Sequence, residues 1–154
     1  MHAYLFPGQG SQYPGMGKKL YDDFQEARLY FQNANKILGF PLTDIMFNGS
    51  KNDLKKTEFA QPAVFLHSYV LAKKMGTNFR PKIVAGHSLG EITALTLSGA
   101  LGFESALRLI SKRFMAMGRV CDKNTGMAVV IGLYDVIVRD ICQQTYWCCG
   151  SCQL

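Results

Sequence analysis

Apolar positions fall into short continuous runs that alternate with longer stretches of helical period. Ala3 to Phe6 is a run of four halted by Pro7-Gly8, and it reads as a first, buried strand. Asp22 to Leu38 has a helical pattern ended by Gly39 and Pro41, Leu42 to Phe47 reads as a second short helix, and Asn52 to Glu58 as a capped polar turn of helix. From Ala60 to Met75 the chain is apolar around its whole circumference (Ala63, Val64, Phe65, Leu66, Tyr69, Val70, Leu71, Ala72), with Pro62 in the first turn, where proline is tolerated. Such a helix is expected to lie buried under a sheet. Pro81 to Ala85 predicts a second buried strand and Glu91 to Leu97 an apolar helix. Phe103 to Met117 predicts a further helix with Ala106, Leu109, Ile110 and Phe114 on one side. Met127 to Leu133 is bounded by Gly126 and Gly132 and reads as a strand; Asp135 to Gln144 reads as an amphipathic helix with Asp135 as candidate cap. Strands alternating with helices predict an α/β fold built on a parallel sheet.

The sharpest chemical signal sits where a predicted strand meets a predicted helix. Gly86-His87-Ser88-Leu89-Gly90 is a Gly-x-Ser-x-Gly nucleophile elbow. A serine held in that strained turn brings neighbouring backbones so close that a Cβ at either glycine would collide. Ser88 is therefore the candidate nucleophile. The Leu89 N–H lies at the N-terminus of the following helix, where unpaired donors and the helix dipole suit a developing oxyanion. The loop Gly8-Gln9-Gly10-Ser11-Gln12 follows the first strand, at the carboxyl end where α/β folds place ligand contacts. Its spacing matches neither a dinucleotide nor a phosphate-loop fingerprint. His67, inside the apolar helix, reads as a core or boundary histidine. Arg108 and Arg113 are the long cations of the Phe103 helix, one free to face solvent and the other a site.

Composition narrows the classes. The 154 residues are 48% hydrophobic and 18% charged, which suits one domain with a sizeable core. No run approaches the roughly 18 apolar residues of a membrane span, and the uncharged Met1 to Pro7 is too short for a signal peptide. A cytoplasmic protein without a membrane partner is expected. A net charge of +6 suits an acidic partner. The lysines are scattered without an aromatic-interleaved stripe, so nucleic acid is not the expected one.

Four motifs together resemble a known family. Phe6-Pro7-Gly8-Gln9-Gly10-Ser11-Gln12, Gln61-Pro62-Ala63, Gly86-His87-Ser88-Leu89-Gly90-Glu91 and Lys112-Arg113-Phe114-Met115 have the order and spacing of the malonyl-CoA:acyl carrier protein transacylases, over Ala3 to about Gln144. The resemblance implies an α/β-hydrolase-like acyltransferase core over 1–125, incomplete, with 126–145 as the first strand and helix of a small ferredoxin-like subdomain. It implies that Ser88 takes a malonyl group from CoA as an acyl ester and passes it to the phosphopantetheine thiol of acyl carrier protein. By the same resemblance Gln9 and Leu89 supply the oxyanion-hole N–H groups, Arg113 grips the malonyl carboxylate, and His87 is the histidine that precedes the nucleophile at the substrate site. The substrates would be malonyl-CoA and the phosphopantetheinylated carrier protein, with no cofactor and no metal. With no ketosynthase before it, the chain resembles a stand-alone enzyme of fatty acid or polyketide synthesis.

The family's general base is a histidine well downstream of the elbow in a chain roughly twice as long. The histidines here are His2, His67 and His87. The expectation is a truncated, nearly inactive N-terminal portion, since a triad without its base keeps only residual catalysis. Residues 146–154 leave the family pattern and hold Cys148, Cys149 and Cys152. A Cys149-x-x-Cys152 redox or metal pair and a ragged end are ordinary readings of that tail. A zinc site would need further ligands. A third reading is a frameshift after about Thr145, because the same codons shifted by one base spell an apolar strand ending in a polar residue. Two other functions share the elbow or the surface: a serine esterase or patatin-like hydrolase, and a non-catalytic carrier-protein-binding fragment.

Overall fold

The computed structural model describes residues 2–120 and 130–144. Two compact units are present, Met1–Val120 and Cys121–Leu154. The first contains β1 (Ala3–Phe6), α1 (Lys18–Asp23), α2 (Gln25–Leu38), α3 (Leu42–Asn48), α4 (Lys51–Lys55), α5 (Thr57–Met75), β2 (Ile83–Gly86), α6 (Leu89–Leu97) and α7 (Phe103–Val120). Among the described residues the sheet is small and parallel: β1 pairs with β2 in the register Ala3 to Ile83 through Phe6 to Gly86. The long helical crossover between the two strands is what a parallel pair requires.

Helices dominate the core. Phe31, Leu42, Met46, Leu54, Phe65, Leu66, Leu89, Leu107 and Ile110 form one cluster contributed by α2 to α7. Aromatic rings close it on one side, with Tyr69 and Phe103 centroids 4.7 Å apart and Tyr30 edge-on to both. α5 packs mainly on α7, α6 and α2, and α6 is the helix that lies against both strands. The expectation that α5 sits directly under the sheet is therefore corrected, as α6 occupies that place. The strands are also less buried than their sequences predict. Phe6 points into the core, whereas Leu5 is 78% and Ile83 57% exposed. Side chains alternate across a strand, and the described helices cover one face only.

Several boundaries shift for tertiary reasons. The predicted Asp22–Leu38 helix is broken at Phe24, whose extended backbone (φ −124°, ψ 99°) ends α1 and turns its ring onto the core. The polar turn around Asn52 is α4, closed by a reciprocal capping box between Ser50 and Asp53. Lys56 is extended, and α5 then starts three residues earlier than expected, so Pro62 lies inside the helix rather than in its first turn. Its missing N–H removes the i→i−4 bond to the Glu58 carbonyl. In α5, Leu71 is exposed rather than buried. In α7 the buried face is Ala106, Leu107 and Ile110 while Leu109 is 44% exposed, so Leu107 replaces Leu109 in the predicted stripe.

In the second unit, α8 spans Asp135–Gln144 as predicted. Tyr134 precedes it and accepts from the Ile137 and Val138 amides, so Asp135 is the first helical residue rather than the cap. Asp135 pairs with Arg139 one turn on, at 3.3 Å. Of the strand expected over Met127 to Leu133, 127–129 lie outside the described residues and Val130 to Leu133 show no strand pairing. The cysteine-rich tail 146–154 also lies outside them.

Candidate active site

The turn from β2 into α6 is shaped by two backbone approaches. A Cβ on Gly86 would stand 1.9 Å from the Gly90 carbonyl carbon, and one on Gly90 would stand 2.1 Å from the Phe6 carbonyl oxygen. Real Cβ atoms never come so close, so both positions admit glycine alone. Between them Ser88 has φ 56° and ψ −105°, and it is the one non-glycine with positive φ among the described residues. Strain of that kind costs on the order of 1–3 kcal/mol and persists only where the surroundings over-determine it. Here they do: His87 N–H donates to Phe6 at 3.1 Å, Gly90 N–H to His87 at 2.9 Å and Glu91 N–H to Ser88 at 3.2 Å. Leu89 is fully buried and is the first residue of α6, so its N–H has no earlier turn of helix to bond.

The Gly-rich loop after β1 comes to the same place. A Cβ on Gly8 would meet the His87 carbonyl oxygen at 2.7 Å and its Nδ1 at 2.9 Å. Ser11 Oγ donates to the Gly8 carbonyl at 2.9 Å, and the Gly10 N–H donates to Gln12 Oε1 at 2.8 Å. The Gln9 side chain is held at both ends, its Nε2 donating to Thr57 Oγ1 at 3.2 Å and its Oε1 accepting from Gln61 Nε2 at 3.4 Å. Gln61 is fully buried and its Nε2 also reaches Met117 Sδ at 3.3 Å, while its Oε1 has no partner among the described residues.

Arg113 comes from α7. Its Nη2 donates to Ser88 Oγ at 2.8 Å, joining two residues 25 apart in sequence. Arg108 is exposed, so of the two long cations of this helix Arg113 is the one at the site. Among the described residues no carboxylate pairs with Arg113. None of His2, His67 and His87 hydrogen-bonds Ser88, and His87 is exposed beside Gly8. His67 is half-buried against Tyr13, and desolvation holds its pKa below the usual 6.5. An open groove lined by Lys56, Thr57, Glu58, Phe114, Met115 and Gly118 shares Thr57 with the clamp on Gln9 but contains neither Ser88 nor Arg113.

Residues 3–146 match the family model described as acyl transferase domain. The chain belongs to that acyl transferase family. It is 43% identical over 143 residues to the polyketide biosynthesis protein ThaF of Burkholderia thailandensis, covering 92% of this chain and 12% of that one. It is 41% identical over 133 residues to the malonyl CoA-acyl carrier protein transacylase of Bacillus subtilis, covering 85% and 42%. Among solved structures it is similar to a malonyl-transacylase in complex with its type II polyketide synthase acyl-carrier protein, with TM-score 0.83, 34% identity and coverage of 92% and 47%. The acyltransferase chain spans less than half the length of these relatives.

In the fold, this acyltransferase chain brings Ser88, Leu89, Arg113 and the Gln9 loop to one point. Thr57 and Gln61 are partners of Gln9 that the sequence reading misses, although Gln61 stands in one of its motifs. The signal is a glutamine in an otherwise apolar helix stretch, a residue that needs a partner when buried. Among the described residues no group of three or more His, Cys, Asp or Glu could hold a metal, and no helix is long and apolar enough to cross a membrane.

Proposed function

We propose that Ser88 is the nucleophile of a malonyl transfer from CoA to the phosphopantetheine thiol of acyl carrier protein, in fatty acid or polyketide synthesis. Ser88 Oγ attacks the thioester carbonyl, the C–S bond breaks, and CoA leaves as the thiol after taking up the serine proton. The carrier thiol then attacks the acyl ester and returns the proton to Ser88, a ping-pong sequence. The Gln9 and Leu89 N–H groups stabilise the oxyanion at each attack, an effect of ~3 kcal/mol per donor. The Arg113 guanidinium pairs with the distal carboxylate, for which its planar fork is suited. His87 lines the acyl site beside Gly8. No cofactor takes part.

The single observation that supports this reading is the 2.8 Å contact between Arg113 and Ser88, which puts a carboxylate-binding cation at a strained elbow serine. On the same reading the acyltransferase core runs over 1–125 and residues 126–145 open a small ferredoxin-like subdomain. The enzyme works in the cytoplasm. As none of the chain's histidines bonds Ser88, acylation by this chain alone is slow. Intact mass after prolonged incubation with acyl-CoA donors tests the assignment. Malonyl-CoA adds a malonyl group that Ser88→Ala lacks; equal labelling by acetyl-CoA contradicts the role of Arg113.

A further inference from the structure

The guanidinium assigned to the substrate carboxylate is, in this structure, bound to the nucleophile itself. Arg113 Nη2 donates to Ser88 Oγ at 2.8 Å, and that oxygen has no other hydrogen-bond partner among the described residues. We propose that Arg113 is a gate on Ser88: it ties up the nucleophile in the resting site and lets go when a carboxylate-bearing acyl group takes the guanidinium. The inference rests on the roles given to Ser88 and Arg113 above and adds a mechanism by which donors are selected.

Four features support it. An N–H donated by a cation engages a lone pair of Oγ and draws off the electron density that the attack on a carbonyl uses. The Ser88 backbone cannot shift away, pinned at φ 56° between two glycines whose Cβ positions are filled, which leaves rotation about χ1 as the one motion open to its hydroxyl. Arg113 can move: it sits at the end of a flexible side chain, half-buried and without a carboxylate partner among the described residues. The exchange is favourable in one direction. A carboxylate offers two charged oxygens in the geometry of the guanidinium fork, whereas the serine offers one neutral oxygen. An acetyl group brings no carboxylate, and a water molecule offers one neutral oxygen, no better than the serine's, so the nucleophile stays tied. Selection against neutral donors then shows in the rate of acylation as well as in donor binding.

An uncharged fluorophosphonate tests this on the whole chain. Its reaction forms a bond between Ser88 Oγ and phosphorus, breaks P–F, and releases fluoride and the hydroxyl proton to buffer, so it reports the nucleophile with no carboxylate in the reagent. Labelling is followed by mass with sodium malonate or sodium chloride at equal ionic strength. Malonate is expected to accelerate labelling by about tenfold or more, as for release of one hydrogen bond to a charged group. Arg113→Ala is expected to label fast with no response to malonate, while Arg113→Lys keeps part of the response. The proposal is overturned if malonate leaves the unaltered chain's rate unchanged or slows it. It is also overturned if Arg113→Ala labels no faster than the unaltered chain. Labelling absent from every chain, or equal in Ser88→Ala, instead removes Ser88 as nucleophile and the gate with it.

Discussion

Gly90 lies against the backbone of Phe6, so that a Cβ on Gly90 would come 2.1 Å from the Phe6 carbonyl oxygen. This contact joins the start of α6 to the end of β1, and neither backbone can yield without breaking the sheet pairing or the elbow. Overpacking against flexible side chains costs about 1–3 kcal/mol. Against backbone, Gly90→Ala is expected to cost at least about 3 kcal/mol in urea unfolding, near the top of that range. Gly118→Ala is the counterpart: it is exposed in α7 with nothing among the described residues within 4 Å of its Cβ position, and a gain of up to about 1 kcal/mol is expected.

Local rules make the elbow legible in the sequence. Gly86, Ser88 and Gly90 are constrained by their immediate neighbours, so spacing alone marks them. Phe24 breaks a regular helical pattern to reach the core, and no local signal announces that. Leu107 and Leu109 are equally apolar and differ only in which one faces α2 and α5. Leu5 and Ile83 read as buried because continuous apolar strands usually are, but the described helices cover one face of their sheet. The clamp on Gln9 needs Thr57 and Gln61, about 50 residues away, to come to the loop, which only the fold supplies.

Strain at Ser88 separates stability from chemistry. Glycine adopts positive φ without penalty, so Ser88→Gly removes a cost on the order of 1–3 kcal/mol and adds the ~0.5–1 kcal/mol entropy cost of glycine. Thermal unfolding is expected to show Ser88→Gly more stable than Ser88→Ala, while both lose acyl transfer. Equal melting temperatures would contradict the strain.

Gln61 offers a similar separation. Its amide is buried and half-satisfied, and the partner it would leave behind, Gln9, is exposed and can turn its freed oxygen to water, so an apolar side chain of like shape costs little for folding. Gln61→Met is therefore expected to keep its unfolding free energy within about 1 kcal/mol of the unaltered chain. Gln9 would lose one of its two anchors, and a fall of about tenfold in the rate of acyl-Ser88 formation is expected, the worth of one positioning hydrogen bond.

His67 gives a pH dependence with a definite sign. Burial holds its pKa in the fold below 6.5, so the unfolded chain binds the proton first as pH falls. The stability it contributes is complete above 6.5 and is lost as pH drops through that value toward the folded pKa. Urea midpoints measured from pH 7.5 to 5.5 are expected to fall, and His67→Gln to flatten the decline.

Ser88 as carrier of the acyl group and Arg113 as its selector can be tested together by peptide mapping after incubation with labelled malonyl-CoA. An ester on Ser88 is expected in the unaltered chain and none in Ser88→Ala. In Arg113→Ala the malonyl signal is expected to fall at least about tenfold, the loss for a bidentate charged pair. A malonyl ester on another residue, or full labelling of Ser88 in Arg113→Ala, would contradict these roles.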